Sequence, residues 1–88
     1  MPEREVRILN KLGIHARPAA EIVKTAGKFK CNIIIVRDDL EVNAKSIMGV
    51  MMLAAEYGST IILRATGDDA DAALDALAAV IANKFGES

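Results

Sequence analysis

The 88-residue sequence has few aromatic side chains: two Phe, one Tyr and no Trp. Proteins that bind single-stranded nucleic acid use aromatic rings as stacking platforms for the bases. The formal net charge of -1 also gives no overall basic field to attract a phosphate backbone. The composition therefore excludes a nucleic-acid partner.

Cysteine and histidine each occur once, as Cys31 and His15. A single cysteine cannot form an internal disulfide, and a lone thiol and imidazole do not make a set of metal ligands. We expect Cys31 to be a small buried apolar residue, and we expect no metal site.

Long apolar runs are also missing, and none approaches the roughly 18 residues of a membrane span. Residues 1–5, Met-Pro-Glu-Arg-Glu, lack the apolar centre of a signal peptide. We therefore expect no membrane insertion and a cytoplasmic location. A chain of this length makes one domain, which we assign to residues 1–88.

Charge is distributed unevenly along the chain. Residues 1–50 hold nine Lys or Arg against six Asp or Glu, whereas residues 51–88 hold two against six. Complementary fields speed the encounter of two proteins. The asymmetry favours a face that meets an acidic partner or an anion.

Hydrophobic periodicity predicts seven elements. Alternating or β-branched segments predict strands over 3–10, 32–36, 40–43 and 60–65. Helical spacing predicts a helix from residue 16 to a stop at Gly27, a short helix over 47–53 capped by Ser46, and a last helix capped by Asp68 or Asp69. The apolar positions of the last helix are Ala70, Ala73, Leu74, Leu77, Ile81 and Phe85.

The predicted order is βαββαβα. This order suits an α+β fold, a two-layer open-faced β-sandwich in which two long helices and one short helix cover a four-stranded antiparallel sheet. No internal repeat or linker interrupts the chain, so the function is expected on one face of one domain.

His15 falls where a strand has ended and a helix is about to begin. A helix start presents unpaired N–H groups and the positive end of the helix dipole, which together bind phosphate well. A neutral imidazole can attack phosphorus without a separate base. His15 is therefore a candidate phosphoryl acceptor; the alternatives are an ordinary polar helix cap and a metal ligand without companions.

Arg17 strengthens the first interpretation. A cation in the first helical turn opposes the helix dipole, so local rules disfavour it unless it meets an anion. A guanidinium can hold two phosphoryl oxygens at once. A solvated surface arginine is the alternative.

Two segments resemble a known family. The segment Asn-Lys-Leu-Gly-Ile-His-Ala-Arg-Pro-Ala-Ala at 10–20 resembles the active-site signature of the HPr phosphocarriers of the bacterial phosphotransferase system. The segment Asn-Ala-Lys-Ser-Ile-Met-Gly-Val-Met-Met-Leu at 43–53 resembles that family's second signature. The likeness in length and element order extends over nearly the whole chain.

The resemblance implies a role for each catalytic candidate. His15 would accept a phosphoryl group on Nδ1 from Enzyme I, which phosphoenolpyruvate charges, and pass it to an Enzyme IIA domain. Arg17 would hold the phosphoryl group, and the protein would bind no cofactor. The resemblance also implies the strand order 1-4-2-3.

Ser46 is a helix cap by local rules, and the resemblance adds regulatory phosphorylation by an HPr kinase/phosphorylase. The short helix has more apolar side chains than it can bury, and methionine suits a surface that meets several partners. Val50 and Leu53 are expected in the core. By this reasoning and by resemblance, the docking residues are Ala16, Ala20, Lys24, Gly27, Lys45, Ile47, Met48 and Met51.

Three alternatives stay open at this point. One is a regulatory paralogue that binds partners only when Ser46 is phosphorylated, although such a protein can dispense with His15. Another is a small acyl-phosphate hydrolase, for which we find no residue to position water. A purely structural module is the third. A phosphocarrier that shows one face to successive partners is expected to be a monomer.

Overall fold

Four strands and three helices follow one another along the chain in the predicted order βαββαβα. The computed structural model describes residues 2–86. The strands are β1 (Glu3–Arg7), β2 (Asn32–Arg37), β3 (Leu40–Asn43) and β4 (Thr60–Thr66), and the helices are α1 (Ala16–Ala26), α2 (Ile47–Met52) and α3 (Ala70–Ala82). A 3-10 turn over Lys84–Gly86 follows. The α+β fold class is therefore confirmed.

The sheet is antiparallel throughout, with strand order β1-β4-β2-β3. β2 and β4 lie at its centre, where Ile35 pairs with Leu63, and β1 and β3 form its edges. The strand order implied by the resemblance is confirmed.

The helices cover one face of the sheet. Ile33, Ile35, Ile61 and Leu63 alternate along the two central strands and are buried. From the helices, the core receives Ala19, Ile22, Ala26, Ala73, Leu74, Leu77 and Ile81. Cys31 is buried too, as predicted.

The other face of the sheet is open and carries ion pairs. Arg64 alternates with the buried residues of β4 and lies between two carboxylates. Its Nε is 2.7 Å from Glu3 Oε2, and its Nη1 is 3.6 Å from Glu41 Oε2. Half-buried Ile34, Val36 and Ile62 lie on the same face, so its centre combines apolar side chains with this charged cluster.

β1 is shorter than predicted. It ends at Arg7 instead of residue 10, because Ile8 exchanges hydrogen bonds with the turn before β4: its N–H donates to Ser59 O and its carbonyl accepts from Gly58 N, both at 2.8 Å. The chain then turns at Asn10, which is buried.

Gly27 follows the last residue of α1, as predicted, whereas both ends of α3 differ in detail from the prediction. Gly27 ends α1 with φ −65°, so the left-handed conformation typical of a C-terminal glycine is not used. Asp69 occupies the N-cap of α3, but its carboxylate accepts from Lys30 N and Cys31 N at 2.8 and 3.0 Å. Phe85 is buried beyond the end of α3.

Candidate functional site

His15 is the N-cap residue of α1. Its backbone is extended, with φ −100° and ψ −165°, and its side chain does not cap the helix. Its carbonyl accepts the first intrahelical hydrogen bond, from Ala19 N at 2.9 Å. The residue is half-buried, so the imidazole stays within reach of a partner protein.

The first turn of α1 offers backbone donors. The N–H groups of Ala16 and Arg17 precede the Ala19 bond and have no acceptor within the helix, whereas Pro18 has no N–H. No acidic residue lies in this turn. Arg17 is exposed and forms no ion pair with any carboxylate of residues 2–86. These groups suit an anion beside His15.

The loop before His15 is held against the segment that follows α2. Ile14 N donates to Ala55 O at 2.8 Å. Gly13 has φ +69°, and a Cβ at this position would lie 2.5 Å from Ala55 O, so only glycine fits. Asn10 Nδ2 donates to Gly13 O at 2.6 Å. Sequence reasoning did not find the role of Ala55; Gly13 was the only signal for a close backbone approach.

The predicted docking residues of α1 and α2 are accessible. Ala16, Ala20, Lys24 and Gly27 are exposed. Ile47, Met48 and Met51 are 46%, 75% and 44% exposed, and α2 packs against α1. We call these α2 side chains, together with Met52 at 65% exposure, the α2 patch. Val50 and Leu53 are buried, as predicted.

Ser46 begins α2 as a hydrogen-bonded cap. Its Oγ accepts from Gly49 N at 3.1 Å, which satisfies one of the unpaired amides of the helix start. The neighbouring Lys45 is half-buried, and its Nζ donates to Phe29 O at 2.7 Å. Lys45 therefore has a structural contact in addition to its predicted place in docking.

Arg37 closes the other end of α2, a contact that sequence reasoning missed. Its Nη1 donates to Leu53 O at 2.8 Å and to Ala54 O at 3.0 Å. These carbonyls follow the last helical residue, and Ala54 has φ +49°. A cation at a helix C-terminus is also favoured by the dipole.

Two groups have shifted pKa values where the start of α3 meets the connection between α1 and β2: Asp69 and Cys31. Hydrogen bonds from Lys30 N and from the Cys31 side chain lower the pKa of Asp69. Burial, followed by the hydrogen bond to Asp69, raises the pKa of the Cys31 thiol. Cys31 therefore stays protonated near neutral pH and is a poor nucleophile.

Residues 2–86 contain neither a metal-binding cluster nor a membrane-spanning helix. Within that range, no group of three or more His, Cys, Asp or Glu residues is arranged to hold a metal ion. No helix there is long and apolar enough to cross a membrane.

Comparison with known proteins identifies the family. The family model described as "PTS HPr component phosphorylation site" matches residues 2–83. The chain is 52% identical to the phosphocarrier protein HPr of Cupriavidus necator over 87 residues, which covers 99% of this chain and 98% of that protein. The match therefore extends over both chains nearly end to end.

Solved structures agree with the sequence match. A crystal structure of HPr from Thermoanaerobacter tengcongensis has a TM-score of 0.96 at 49% identity, and covers 100% of this chain and 99% of that one. These matches place the chain among the phosphocarrier proteins. It belongs to the HPr family of the phosphotransferase system.

The expected monomeric state is not confirmed. An HPr dimer from Thermoanaerobacter tengcongensis is also similar, with a TM-score of 0.80 at 49% identity, and covers 99% of this chain and 100% of that one. The solved relatives therefore include a dimer.

Proposed function

We propose that this chain accepts a phosphoryl group on His15 from phospho-Enzyme I and donates it to Enzyme IIA-type acceptors, in the cytoplasm. The observation that carries the proposal is the position of His15 at the start of α1, beside the exposed guanidinium of Arg17. Membership of the HPr family supports it.

The chemistry follows from the groups at this helix start. An imidazole nitrogen of His15, Nδ1 by the family resemblance, attacks phosphorus; the new N–P bond forms as the bond between phosphorus and Enzyme I breaks. The Arg17 guanidinium and the amides of Ala16 and Arg17 stabilise the phosphoryl oxygens during transfer. When the acceptor attacks phosphorus in turn, the N–P bond breaks and the imidazole of His15 is the leaving group.

The half-buried position of His15 fits a carrier better than a hydrolase. A hydrolase encloses a small substrate and a positioned water molecule, whereas a carrier must bring its phosphoryl group to a second protein surface. The docking residues of α1 and the α2 patch provide that surface, since α1 and α2 pack together and the patch is exposed.

We further propose that Ser46 is a regulatory phosphorylation site for an HPr kinase/phosphorylase. Ser46 lies directly before the α2 patch, so a phosphate would add about -1.5 to -2 charges next to the docking surface. An acidic partner would then be repelled. The Oγ atom already faces the start of α2, where the helix dipole favours negative charge.

The first experiment incubates the protein with Enzyme I and phosphoenolpyruvate carrying labelled phosphorus. We expect one label per chain, lost in acid because a phosphoramidate N–P bond is acid-labile, and no label on His15→Ala. A Ser46→Ala variant is the matched control and should be labelled normally. Acid-stable label, or normal labelling of His15→Ala, would refute the carrier function.

A further inference from the structure

We propose that Arg37 is a positioning residue for the His15 site, through the backbone segment 53–55 that follows α2; this inference rests on the proposed function. Arg37 ends β2 and does not belong to either signature segment. It is half-buried, and one guanidinium nitrogen donates to two successive carbonyls, those of Leu53 and Ala54.

Arg37 satisfies backbone carbonyls at the end of α2. The last carbonyls of a helix have no intrahelical donors and must be satisfied by other groups. Leu53 N and Ala54 N still donate back into α2, to Val50 O and Met51 O, but the carbonyls of Leu53 and Ala54 face outward to Arg37. The guanidinium therefore stabilises the end of α2 and its turn.

The turn after α2 is strained at Ala54. Ala54 has φ +49°, in the left-handed region that a residue with a Cβ adopts at a cost. If the two carbonyls lost their donor, the backbone at Ala54 would relax out of this strained conformation. The hydrogen bonds from Arg37 oppose that relaxation and so fix the orientation of the next residue, Ala55.

Ala55 contacts the loop that precedes the catalytic histidine. Ala55 O accepts from Ile14 N at 2.8 Å, and the backbone of Gly13 packs so closely on this oxygen that no side chain fits. Ile14 directly precedes His15. A displacement of Ala55 O therefore moves the loop that sets the position of the imidazole relative to the first turn of α1.

The same contacts connect the site to the docking surface. The α2 patch is carried by a six-residue helix whose two ends are held by side chains, Ser46 Oγ at the start and the Arg37 guanidinium just after the end. Arg37 thus fixes the α2 patch and the His15 loop with respect to each other. A partner that contacts both surfaces requires that arrangement.

Arg37→Met tests the proposal, since methionine keeps an unbranched side chain and removes every donor. Amide hydrogen exchange measured by NMR reports the loop directly. We expect the Ile14 amide to exchange about tenfold or more faster, because a charge-assisted pair of hydrogen bonds is lost. The amides of Ile35 and Leu63, in the centre of the sheet, report global unfolding and should change less.

Transfer from phospho-Enzyme I is the second readout. A misplaced histidine should slow phosphorylation of Arg37→Met by about tenfold. Arg37→Lys retains a cation that can reach the carbonyls, and we expect it to restore part of both the rate and the Ile14 protection. Arg4→Met is the matched control, because Arg4 forms a surface ion pair with Asp75, at 2.7 Å, away from these contacts; neither readout should change.

Each outcome decides between the two claims. Equal acceleration of exchange at Ile14, Ile35 and Leu63 would reduce Arg37 to a contributor to global stability and overturn the proposal. Unchanged exchange at Ile14 would also overturn it. If Ile14 alone exchanges faster in Arg37→Met, and Enzyme I does not label the wild-type protein, the role of Arg37 in positioning the His15 loop stands and the carrier function is refuted.

Discussion

The starts of α1 and α2 are built differently although both follow an extended residue. At α2, Ser46 Oγ accepts from Gly49 N, so the helix satisfies one of its own amides. At α1, the His15 side chain makes no capping bond, and Arg17 places a cation where the dipole disfavours one. The chain itself satisfies an amide at the start of α2, whereas the start of α1 suits an external anion.

Because of this difference, the start of α2 contributes mainly to folding stability and the start of α1 mainly to phosphoryl transfer. A capped start contributes to stability whether or not a ligand is present, whereas an uncapped start with a nearby cation gains its favourable interactions when an anion arrives. Substitutions of His15 and Arg17 at the start of α1 should therefore change transfer more than stability. At Ser46, substitutions that remove the capping oxygen should change stability, and substitutions that add charge should change docking.

The largest effect is expected from Arg17→Ala. Loss of the guanidinium should slow phosphorylation by Enzyme I about 100-fold, in the range found when a group that stabilises transition-state charge is removed. The free energy of unfolding, measured in urea, should stay the same or rise by a few tenths of a kcal/mol, because an unfavourable charge leaves the helix start.

Arg4→Ala is the control for this comparison, since it removes an arginine from a surface ion pair. It should leave the phosphorylation rate at the wild-type value. If Arg17→Ala transfers at the wild-type rate, or loses as much stability as a core variant, then Arg17 does not hold the phosphoryl group.

Ser46 should show the opposite behaviour. Ser46→Ala removes the cap and should lower the free energy of unfolding by about 1 kcal/mol while the phosphorylation rate at His15 stays unchanged.

Ser46→Asp retains an oxygen for Gly49 N and adds a negative charge beside the α2 patch, so it should keep stability and weaken binding to Enzyme I. Calorimetric titration measures the binding; equal affinity of Ser46→Asp and wild type would argue against inhibition.

Asp69, at the start of α3, makes a smaller contribution to stability that depends on pH. Hydrogen bonds hold the pKa of Asp69 below its ordinary value of 3.8, so the folded state binds the proton less readily than the unfolded chain. The stability from Asp69 is therefore complete above about pH 4 and is lost as the pH falls through the lower, folded-state pKa.

Thermal unfolding between pH 2 and 7 measures this loss. Asp69→Asn should flatten the acid side of the stability profile, whereas Asp39→Asn, in the exposed β2–β3 turn, should leave it unchanged. An unaltered profile in Asp69→Asn would show that its contacts with Lys30 N and Cys31 N do not couple protonation to folding.

Much of the fold follows from local patterns. The helical spacing of α3 identifies its buried residues, because burial on one face requires a fixed period. The β-branched run of β2 indicates a strand, but it does not alternate with polar residues, so the structure alone shows that Ile33 and Ile35 are the buried ones. The strand order came only from family resemblance. Periodicity shows which side of a strand is buried but not which strand lies beside it.

The candidate site was only partly accessible to sequence reasoning. His15, Arg17 and Ser46 stand at helix starts that caps and breakers make visible. The contacts of Arg37 and Asp69 join residues 16 or more positions apart, and each replaces the local interaction that a helix-end rule predicts. No local pattern contains such a contact, because it depends on how β2 lies against α2 and α3.

Val50 is the only buried residue among the six of α2. Folding stability and partner recognition therefore fall on different side chains of one short helix. Substitutions at Met48, Met51 or Met52 can change the set of proteins that the surface accepts with little cost to the fold. Specificity in this helix can evolve separately from stability, as long as Val50 stays buried in the core.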